Sequence, residues 1–246
     1  MDIATKENIE IDFWTNSDTE SPQSNAIENI LEKMAEGRVF LEKVNTFAPL
    51  FEKASTVLEL GGGQCWASCI LKRRFPHLHV TGTDIAPDAV ASVWKWEHIH
   101  ECKVDDTRAC RSYDTGFPDA SFDVIFAYSA AHHFVRHRST LVELNRILKP
   151  GGTALYLHEP TCNALMHPMA YARVNRKRPE VPEDVMIASK IAELAREAGL
   201  AATVKNSPTL TNRNAGPMMY YYVLRRLPFL QKVVPVTADF IFTKPR

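Results

Sequence analysis

The sequence lacks long apolar runs: none of its hydrophobic stretches reaches ten residues, whereas a transmembrane helix needs about 20. Its first residues, MDIATKENIEIDFW, lack the cationic start and the apolar stretch of a signal peptide. Cysteine is scarce, and the five cysteines form no CxxC pair, which favours reduced thiols over a disulfide framework. We therefore expect a cytoplasmic protein without membrane insertion.

Charge of either sign is not in excess. Lys+Arg and Asp+Glu both number 29, which gives a formal net charge of zero and a pI near 7.1. A neutral chain without an overall positive field is not expected to bind nucleic acid. No metal site is predicted either, because the one alternation of possible ligands, His98-Ile99-His100-Glu101-Cys102, is better interpreted as a polar helix end.

Apolar runs typical of buried strands alternate with amphipathic segments typical of helices. Strands are predicted at 55–60, 78–84, 121–129, 153–159, 201–205 and 238–244, with a short further strand within 102–111. Helices are predicted at 25–45, 64–75, 87–99, 139–152 and 182–199. This alternation indicates an α/β, doubly wound fold whose parallel strands are joined by right-handed crossovers.

Two stretches depart from this alternation. Residues 159–183 are basic and rich in proline, and residues 206–236 follow no clear period, so both are interpreted as insertions that border the site. We expect residues 1–50 to form a helical leader that acts as a lid, and residues 51–246 to form the core that carries both insertions.

A glycine-rich turn follows the first predicted strand in VLELGGGQCW. A triphosphate-binding loop would need a lysine and a Ser or Thr after the glycines, and Gln64-Cys65 stands there instead. A dinucleotide fingerprint would place its third glycine at position 66, which is occupied by Trp66. Both phosphate-binding interpretations are therefore disfavoured, and with them a dinucleotide oxidoreductase.

Two carboxylates at strand ends suggest another ligand. Asp84 ends the second strand 21 residues after Gly63, a separation that places its carboxylate on a ribose lying across the glycine turn. Glu59 ends the first strand, where a carboxylate suits a cationic ligand and repels pyrophosphate. A ligand that combines an ammonium group with a ribose is S-adenosylmethionine.

Four motifs carry a resemblance to a known family. They are ELGGGQC (59–65), TGTDIAPDAV (81–90), FPDASFDVIFAYSAAHHF (117–134) and LVELNRILKPGGTALYLHEP (141–160). In this order and spacing they resemble the class I S-adenosylmethionine-dependent methyltransferases that act on small molecules. Residues 158–185 and the closing strand resemble, more weakly, methyltransferases of bacterial surface-glycan and secondary-metabolite gene sets.

The resemblance implies a fold and a cofactor site. It implies a Rossmann-like, seven-stranded, mostly parallel sheet with helices on both faces and an antiparallel last strand. The cofactor-binding residues that it implies for S-adenosyl-L-methionine are Glu59, Gly61, Gly62, Gly63, Asp84, Ile85, Arg111, Ser112 and Ser129. The acidic residue that the family uses for the adenine amino group has no clear counterpart, because Asp105 and Asp106 come several positions too early.

The resemblance also suggests a general base. Methyl transfer from a sulfonium is an in-line displacement, and the enzyme positions the acceptor and removes its proton if the pKa of the acceptor is high. His133 is the first candidate base and His132 the second, since both follow the fourth strand at the ligand-binding edge of the sheet. Transfer driven mainly by proximity remains the alternative.

The acceptor is less well defined by the sequence. The candidate acceptor-binding residues are His158, Glu159, Tyr171, Arg173 and Arg176. The basic run to which the two arginines belong, with Lys177 and Arg178, is interpreted either as a solvated loop or as a site for a phosphate or carboxylate on the acceptor.

The predicted activity is methylation of a hydroxyl of a small molecule or sugar by a monomer or homodimer. The alternatives are N-methylation of a small amine and a non-catalytic cofactor-binding partner subunit.

Overall fold

A computed structural model describes residues 3–17, 21, 26–176 and 184–246, and Lys177 and Arg178 of the basic run lie outside these ranges. The leader contains three helices, α1 (Ile3–Asn16), α2 (Ile27–Thr46) and α3 (Ala48–Lys53). The helix predicted at 25–45 is α2, which buries Val39, Phe40 and Val44 on one face. Among the described residues, no helix is both long and apolar enough to cross a bilayer.

The centre of the fold is one mixed sheet. Its strands within the described ranges are β1 (Thr56–Leu60), β2 (His79–Asp84), β3 (Asp106–Ala109), β4 (Phe122–Tyr128), β5 (Leu148–Cys162), β6 (Met186–Ile187), β7 (Ala201–Asn206) and β8 (Val236–Thr243). The order is β3-β2-β1-β4-β5-β8-β7, and β6 pairs with β5. Only β8 runs antiparallel to its neighbours within this part of the chain, pairing with β5 and β7.

The predicted Rossmann-like sheet with an antiparallel last strand is therefore confirmed. The helix predicted at 182–199 begins only at Ala188, because Met186 and Ile187 form the short strand β6, and two residues are too few to show the period of a strand. β5 continues to Cys162, so the first insertion begins after residue 162 rather than at 159.

The remaining helices cover both faces of the sheet. They are α4 (Trp66–Arg74), α5 (Pro87–Ala91), α6 (Val93–His100), α7 (His137–Ile147), α8 (His167–Asn175), α9 (Ala188–Glu197) and α10 (Ala215–Arg226). The helix predicted at 87–99 is thus two helices that meet at Ser92. His98 and His100 lie in α6, as expected for a polar helix end.

The core has one cluster on each face of the sheet. On the first face Phe40, Phe51 and Trp66 pack over β1 and β4. On the second, apolar residues of α7 and α9 pack over Phe240 and Phe242. Burying each such side chain stabilises the fold by roughly 1.5–3 kcal/mol, so the leader helix α2 is part of the core rather than an appendage.

Trp66, which argues against a dinucleotide site, has a structural role in this core. Its ring packs edge-on against Phe40 and Tyr128, with centroids 5.9 and 5.6 Å apart. Helix α4 still approaches the sheet closely, but at Gly82 of β2, where an added Cβ would lie 2.7 Å from Cys65 Sγ. The close contact made in the dinucleotide fingerprint by a third glycine on the helix is thus made here by a glycine on the strand.

The strand order reverses between β1 and β4, because the chain runs outward from β1 to β3 and then returns to the other side of β1. In open α/β sheets, ligands bind at the carboxyl ends of the strands beside such a reversal. The glycine turn follows β1, and Ser129 to Phe134 follows β4, so both face this crevice.

Candidate functional site

The glycine turn adopts a conformation that other residues could not adopt without strain. Gly61 and Gly63 have φ values of +68° and +54°, in the left-handed region. A Cβ on Gly61 would lie 3.0 Å from Ala130 Cβ, and one on Gly63 would lie 2.9 Å from the ring of Trp14. The turn therefore needs glycine both for its backbone and for its close contacts with the loop after β4 and with α1.

Glu59 lies beneath this turn. Its side chain is 2% exposed, and its Oε2 accepts hydrogen bonds from the backbone N–H, at 3.0 Å, and the hydroxyl of Ser68 in α4. Burial raises the pKa of Glu59 to about 7, although the Ser68 hydrogen bonds oppose the shift. The Glu59 carboxyl thus joins β1 to α4 through hydrogen bonds. With this pKa it gains or loses its proton near neutral pH.

We expect the Glu59→Gln variant to remove a pH dependence of stability. In the unfolded chain Glu59 ionises near its ordinary pKa of 4.5, whereas in the fold it keeps its proton up to about pH 7. The folded state binds more protons in this window, so the free energy of unfolding falls as pH rises from about 4.5 to about 7. The wild type should lose on the order of 3 kcal/mol there relative to the glutamine variant.

Urea unfolding of both proteins across this pH window measures the difference. Glu52→Gln, which changes an exposed carboxylate of α3, is the matched control and should follow the wild-type curve. Parallel wild-type and Glu59→Gln curves would show that Glu59 does not titrate in this window.

Asp84 fixes the turn from the neighbouring strand. Its Oδ2 accepts the N–H of Gly63 at 2.8 Å, and its Oδ1 accepts the N–H of Ala86 at 2.9 Å. Burial raises the pKa of Asp84, and these two hydrogen bonds limit the increase. The 21-residue separation read from the sequence is therefore a direct contact between the end of β2 and the turn.

The residues predicted for the adenine end lie beside α1. Arg111 Nε donates to Glu7 Oε2 at 2.9 Å, and the hydroxyls of Ser112 and Thr140 are 2.9 Å apart. Although burial opposes it, hydrogen bonds from Tyr113 and Arg111 lower the pKa of Glu7. An acidic side chain is thus present at this end, but it comes from the leader.

Asp105 and Asp106 lie at the opposite edge of the sheet. They flank the start of β3, whereas the crevice is at the carboxyl ends of the strands. Asp105 forms an ion pair with Lys72 at 2.8 Å and accepts the N–H of Val80. Neither aspartate lines the crevice, so both are excluded as the adenine partner.

The loop after β4 is held by one buried carboxylate. Glu159 of β5 is 0% exposed, and its oxygens accept the backbone N–H groups of Ala130, Ala131 and His132 at 3.0, 2.9 and 3.2 Å. Glu159 Oε2 also lies 2.9 Å from His132 Nδ1. Glu159 does not line the cavity but positions the histidine loop, so its role as an acceptor contact stays a prediction that this geometry does not support.

Each of the two adjacent histidines is paired with a carboxylate. His132 Nδ1 faces Glu159, and His133 Nδ1 lies 2.7 Å from Glu10 Oε1 of α1. The two rings are 4.1 Å apart, and the His132 side chain is 8% exposed whereas that of His133 is 29% exposed. A carboxylate that accepts from Nδ1–H leaves Nε2 as the basic nitrogen, so either ring has the arrangement of a general base.

His158 lies in a bulge of β5, where the pairing with β8 shifts between Tyr156 and Glu159. Its φ is +61°, its N–H donates to Asp239 Oδ1 at 2.9 Å, and its ring stacks on Tyr128 with centroids 5.8 Å apart. Burial lowers the pKa of His158 to about 3, and the charges of Lys43 and Arg213 add to the shift. The imidazole is neutral, and its buried Nδ1 has no hydrogen-bond partner among the described residues.

The cations near the acceptor end differ from those predicted. Tyr171, Arg173 and Arg176 are exposed and do not line the cavity, because α8 turns Ala170 and Val174 toward the protein and its polar side chains toward solvent. Their role in acceptor binding stays a prediction that the lining of this cavity does not support.

Arg213, in the second insertion, lines the cavity instead. Its guanidinium lies 3.6 Å from the ring centroid of Tyr221, and its Nε donates to Thr209 O at 2.7 Å. It has no ion pair with any carboxylate of the described chain. No local pattern marks this position, since Arg213 is a single cation in an irregular segment of the sequence.

These groups surround one cavity of about 980 Å³. All nine residues predicted to bind the cofactor line it, as do His132, His133 and His158. The leader contributes Glu7, Glu10 and Trp14 from α1 and Glu36 from α2, which were not predicted as site residues. A cavity of this volume lies at the upper end of the range typical of small-molecule sites.

Comparison with known proteins identifies the central segment. Residues 58–156 match a family model described as a methyltransferase domain. A fatty-acid O-methyltransferase of Mycolicibacterium smegmatis is 30% identical over 112 residues, which is 46% of this chain and 40% of the relative. A demethylmenaquinone methyltransferase of Thermus thermophilus is 31% identical over 110 residues, covering 44% of this chain and 50% of the relative. The chain thus spans half or less of each of these relatives.

Solved structures share the fold over more of the chain. An O-methyltransferase family protein from Burkholderia thailandensis has a TM-score of 0.64 at 20% identity, covering 94% of this chain and 64% of the other. A geranyl diphosphate C-methyltransferase from Streptomyces coelicolor has a TM-score of 0.66 at 14% identity, covering 84% and 80%. The family match includes the first three sequence motifs and most of the fourth, and the resemblance inferred from them is confirmed.

Proposed function

We propose that this protein, whose residues 58–156 match a methyltransferase domain, binds S-adenosylmethionine and methylates a small molecule. The observation that carries the proposal is the convergence of the nine cofactor-site residues on one cavity. The cofactor, when bound, supplies an electrophilic methyl group on a sulfonium. The buried carboxyls Glu59 and Asp84 suit a ligand with an ammonium group and ribose hydroxyls better than one with a pyrophosphate.

Calorimetry with S-adenosylmethionine, S-adenosylhomocysteine and NAD tests the cofactor. We expect both sulfur compounds to bind and NAD not to bind. Asp84→Asn should weaken the binding of S-adenosylmethionine by about tenfold or more, because hydrogen bonds to an ionised carboxylate are worth about 1.5–3 kcal/mol. Asp106→Asn, at the far edge of the sheet, should leave the affinity unchanged. Binding of NAD without a response to the sulfur compounds would contradict the proposal.

We propose a hydroxyl acceptor and a histidine base for the transfer. His133 would take the proton of the acceptor hydroxyl at Nε2, while Glu10 holds the ring through Nδ1. His132, held by Glu159, is the second candidate. An amine of a small molecule is the alternative acceptor, since an amine that is neutral at working pH needs no base to become nucleophilic.

The acceptor end of the cavity supports an acceptor with an anionic group. Arg213 is a cation held against Tyr221, and His158 beside it offers an unpartnered ring nitrogen. The name of the Mycolicibacterium smegmatis relative, a fatty-acid O-methyltransferase, supports an amphiphilic acceptor. A phosphate or carboxylate on the acceptor would therefore bind Arg213 rather than the arginines of α8.

Helix α1 of the leader would act as a lid in this scheme, whereas α2 belongs to the core. Helix α1 supplies Glu7 at the predicted adenine end and Glu10 at the histidine pair. A non-catalytic partner subunit is the second candidate function, and it would bind S-adenosylmethionine without transferring its methyl group to any acceptor. The cytoplasmic location and the monomer or homodimer remain predictions.

A further inference from the structure

The net charge of the chain is zero, but its basic and acidic residues are unevenly distributed along the sequence. Residues 160–176 and 206–238 contain six arginine or lysine residues and no aspartate or glutamate. All 29 acidic residues and the other 23 basic ones lie elsewhere in the chain. Two acidic side chains of α2 contact the second segment through hydrogen bonds. Glu42 accepts from the hydroxyls of Thr209 and Thr211, and Glu36 accepts from the side-chain amide of Asn212.

The same two segments expose large apolar side chains. α10 buries Leu224 and turns Tyr221 to the cavity, so most of its other apolar residues face solvent. Met219 is 62% exposed, Phe229 in the following turn is 63% exposed, and Leu165 before α8 is 88% exposed. The exposed apolar residues of both segments are Leu165, Met169, Tyr171, Met218, Met219, Tyr220, Tyr222, Val223, Leu227, Phe229 and Val233. We call this set, with the exposed cations Arg173, Arg176, Arg225, Arg226 and Lys232, the basic apolar face.

The two segments form one surface beside the cavity. Asn163 Nδ2 donates to the backbone oxygens of Lys232 and Val233 at 3.2 and 2.9 Å, which joins the start of the first insertion to the end of the second. Val174 of α8 and Tyr221 of α10 line the cavity from the same elements. The basic apolar face therefore lies on the outside of the elements that close the acceptor end.

We propose that the basic apolar face docks on an anionic lipid surface. Arg225 and Arg226 end α10, and the Arg226 guanidinium lies 5.3 Å from the Tyr222 ring centroid, so cations and apolar side chains alternate along one helix. A lipid interface satisfies both, since its headgroups bind the cations while its acyl region takes up the apolar tips. If the protein has the proposed function, an amphiphilic acceptor would enter the cavity from the bilayer past Tyr221.

Two other occupants fit the face less well. Nucleic acid would neutralise the arginines but leave Met219 and Phe229 in contact with water. A second copy of the chain, in a two-fold interface, would place the same cations against one another, and neither segment contains an acidic residue to pair with them. The interface is peripheral and agrees with the prediction of no membrane insertion.

Vesicle co-sedimentation of the full chain tests docking without any need for turnover. We expect binding to phosphatidylcholine vesicles that contain phosphatidylglycerol, little binding to phosphatidylcholine alone, and weaker binding as salt rises. Arg225→Glu/Arg226→Glu and Met219→Glu/Phe229→Glu should each reduce binding to the anionic vesicles by about tenfold or more. Trp94→Glu, which changes a residue 61% exposed on α6, should bind like the wild type.

The melting temperature and the calorimetric affinity for S-adenosylmethionine should be unchanged in both double variants, which separates docking from folding and from the cofactor site. Equal binding to both vesicle types, no binding to either, or wild-type binding by the double variants would overturn the proposal. A dimer in light scattering that Met219→Glu/Phe229→Glu converts to monomers would overturn it in favour of a second copy. If the wild type bound anionic vesicles but did not bind S-adenosylmethionine, only the proposed function would be contradicted.

Discussion

Replacing Lys43 by methionine is expected to lower the free energy of unfolding by about 3–5 kcal/mol, one of the largest effects available in this chain. Lys43 Nζ lies 2.8 Å from Asp239 Oδ2, and the two side chains are 4% and 6% exposed. Methionine keeps most of the apolar stem of lysine but leaves the Asp239 carboxylate buried without its cation. Urea denaturation at neutral pH measures the loss.

The pair matters because it joins three parts of the fold. Lys43 belongs to α2, Asp239 to β8, and Asp239 Oδ1 accepts the N–H of His158 in the bulge of β5. Lys43 also donates to the hydroxyl of Ser207, at the start of the second insertion. The leader, the acceptor end and the insertion thus share one buried charge pair.

Two variants control this prediction. Lys43→Met/Asp239→Asn removes both charges and should recover a large part of the lost stability. Arg138→Met breaks an exposed pair, since the Arg138 and Glu197 side chains are 64% and 42% exposed, and should cost less than about 1 kcal/mol. If Lys43→Met cost no more than Arg138→Met, the buried pair would not hold the leader to the sheet.

The central part of the site could be predicted from the sequence because its residues lie at the ends of predicted strands or directly after them. The carboxyl ends of parallel strands meet at one edge, so Glu59, Asp84 and Ser129 were expected together once the strands were placed. All three line the same cavity. The contribution of the leader could not be predicted in this way: Glu10 pairs with His133 across 123 positions and Glu7 with Arg111 across 104. No local period marks such pairs.

On the acceptor side, the cations of α8 that were predicted to bind an anion face solvent instead. A run of cations after β5 suggested an anion site, but Ala170 and Val174, four residues apart on α8, already indicated which face of that helix packs inward. Arg173 lies outside that inward stripe and is exposed. The total charge is also a poor guide to the surface, because a net charge of zero does not reveal two segments without any acidic residue.

His133→Ala is expected to lower kcat for methyl transfer by about 10²–10³, within the range that general-base catalysis typically supplies. The reason is geometric: His133 lines the cavity, and Glu10 Oε1 at 2.7 Å from Nδ1 leaves Nε2 as the proton acceptor. Transfer of tritium from methyl-labelled S-adenosylmethionine to a panel of hydroxylated lipids measures the rate.

The pH profile separates a base from a residue that only shapes the cavity. A base must be neutral to act, so the wild-type rate should fall toward acid pH, and His133→Ala should lose that fall along with its rate. Glu10→Gln should lose less, about tenfold, because glutamine can still accept from Nδ1–H but does not stabilise the imidazolium. His77→Ala, which changes an exposed histidine outside the cavity, should act like the wild type.

The affinity for S-adenosylmethionine decides how a loss is interpreted. If His133→Ala binds the cofactor normally and still turns over slowly, the lost step follows binding, as a base requires. If it keeps a near-normal kcat with the usual pH dependence while His132→Ala does not, the base is the ring held by Glu159. Near-normal rates in both variants would mean that the cavity transfers the methyl group by positioning alone, and the acceptor would then be a group that is nucleophilic without losing a proton.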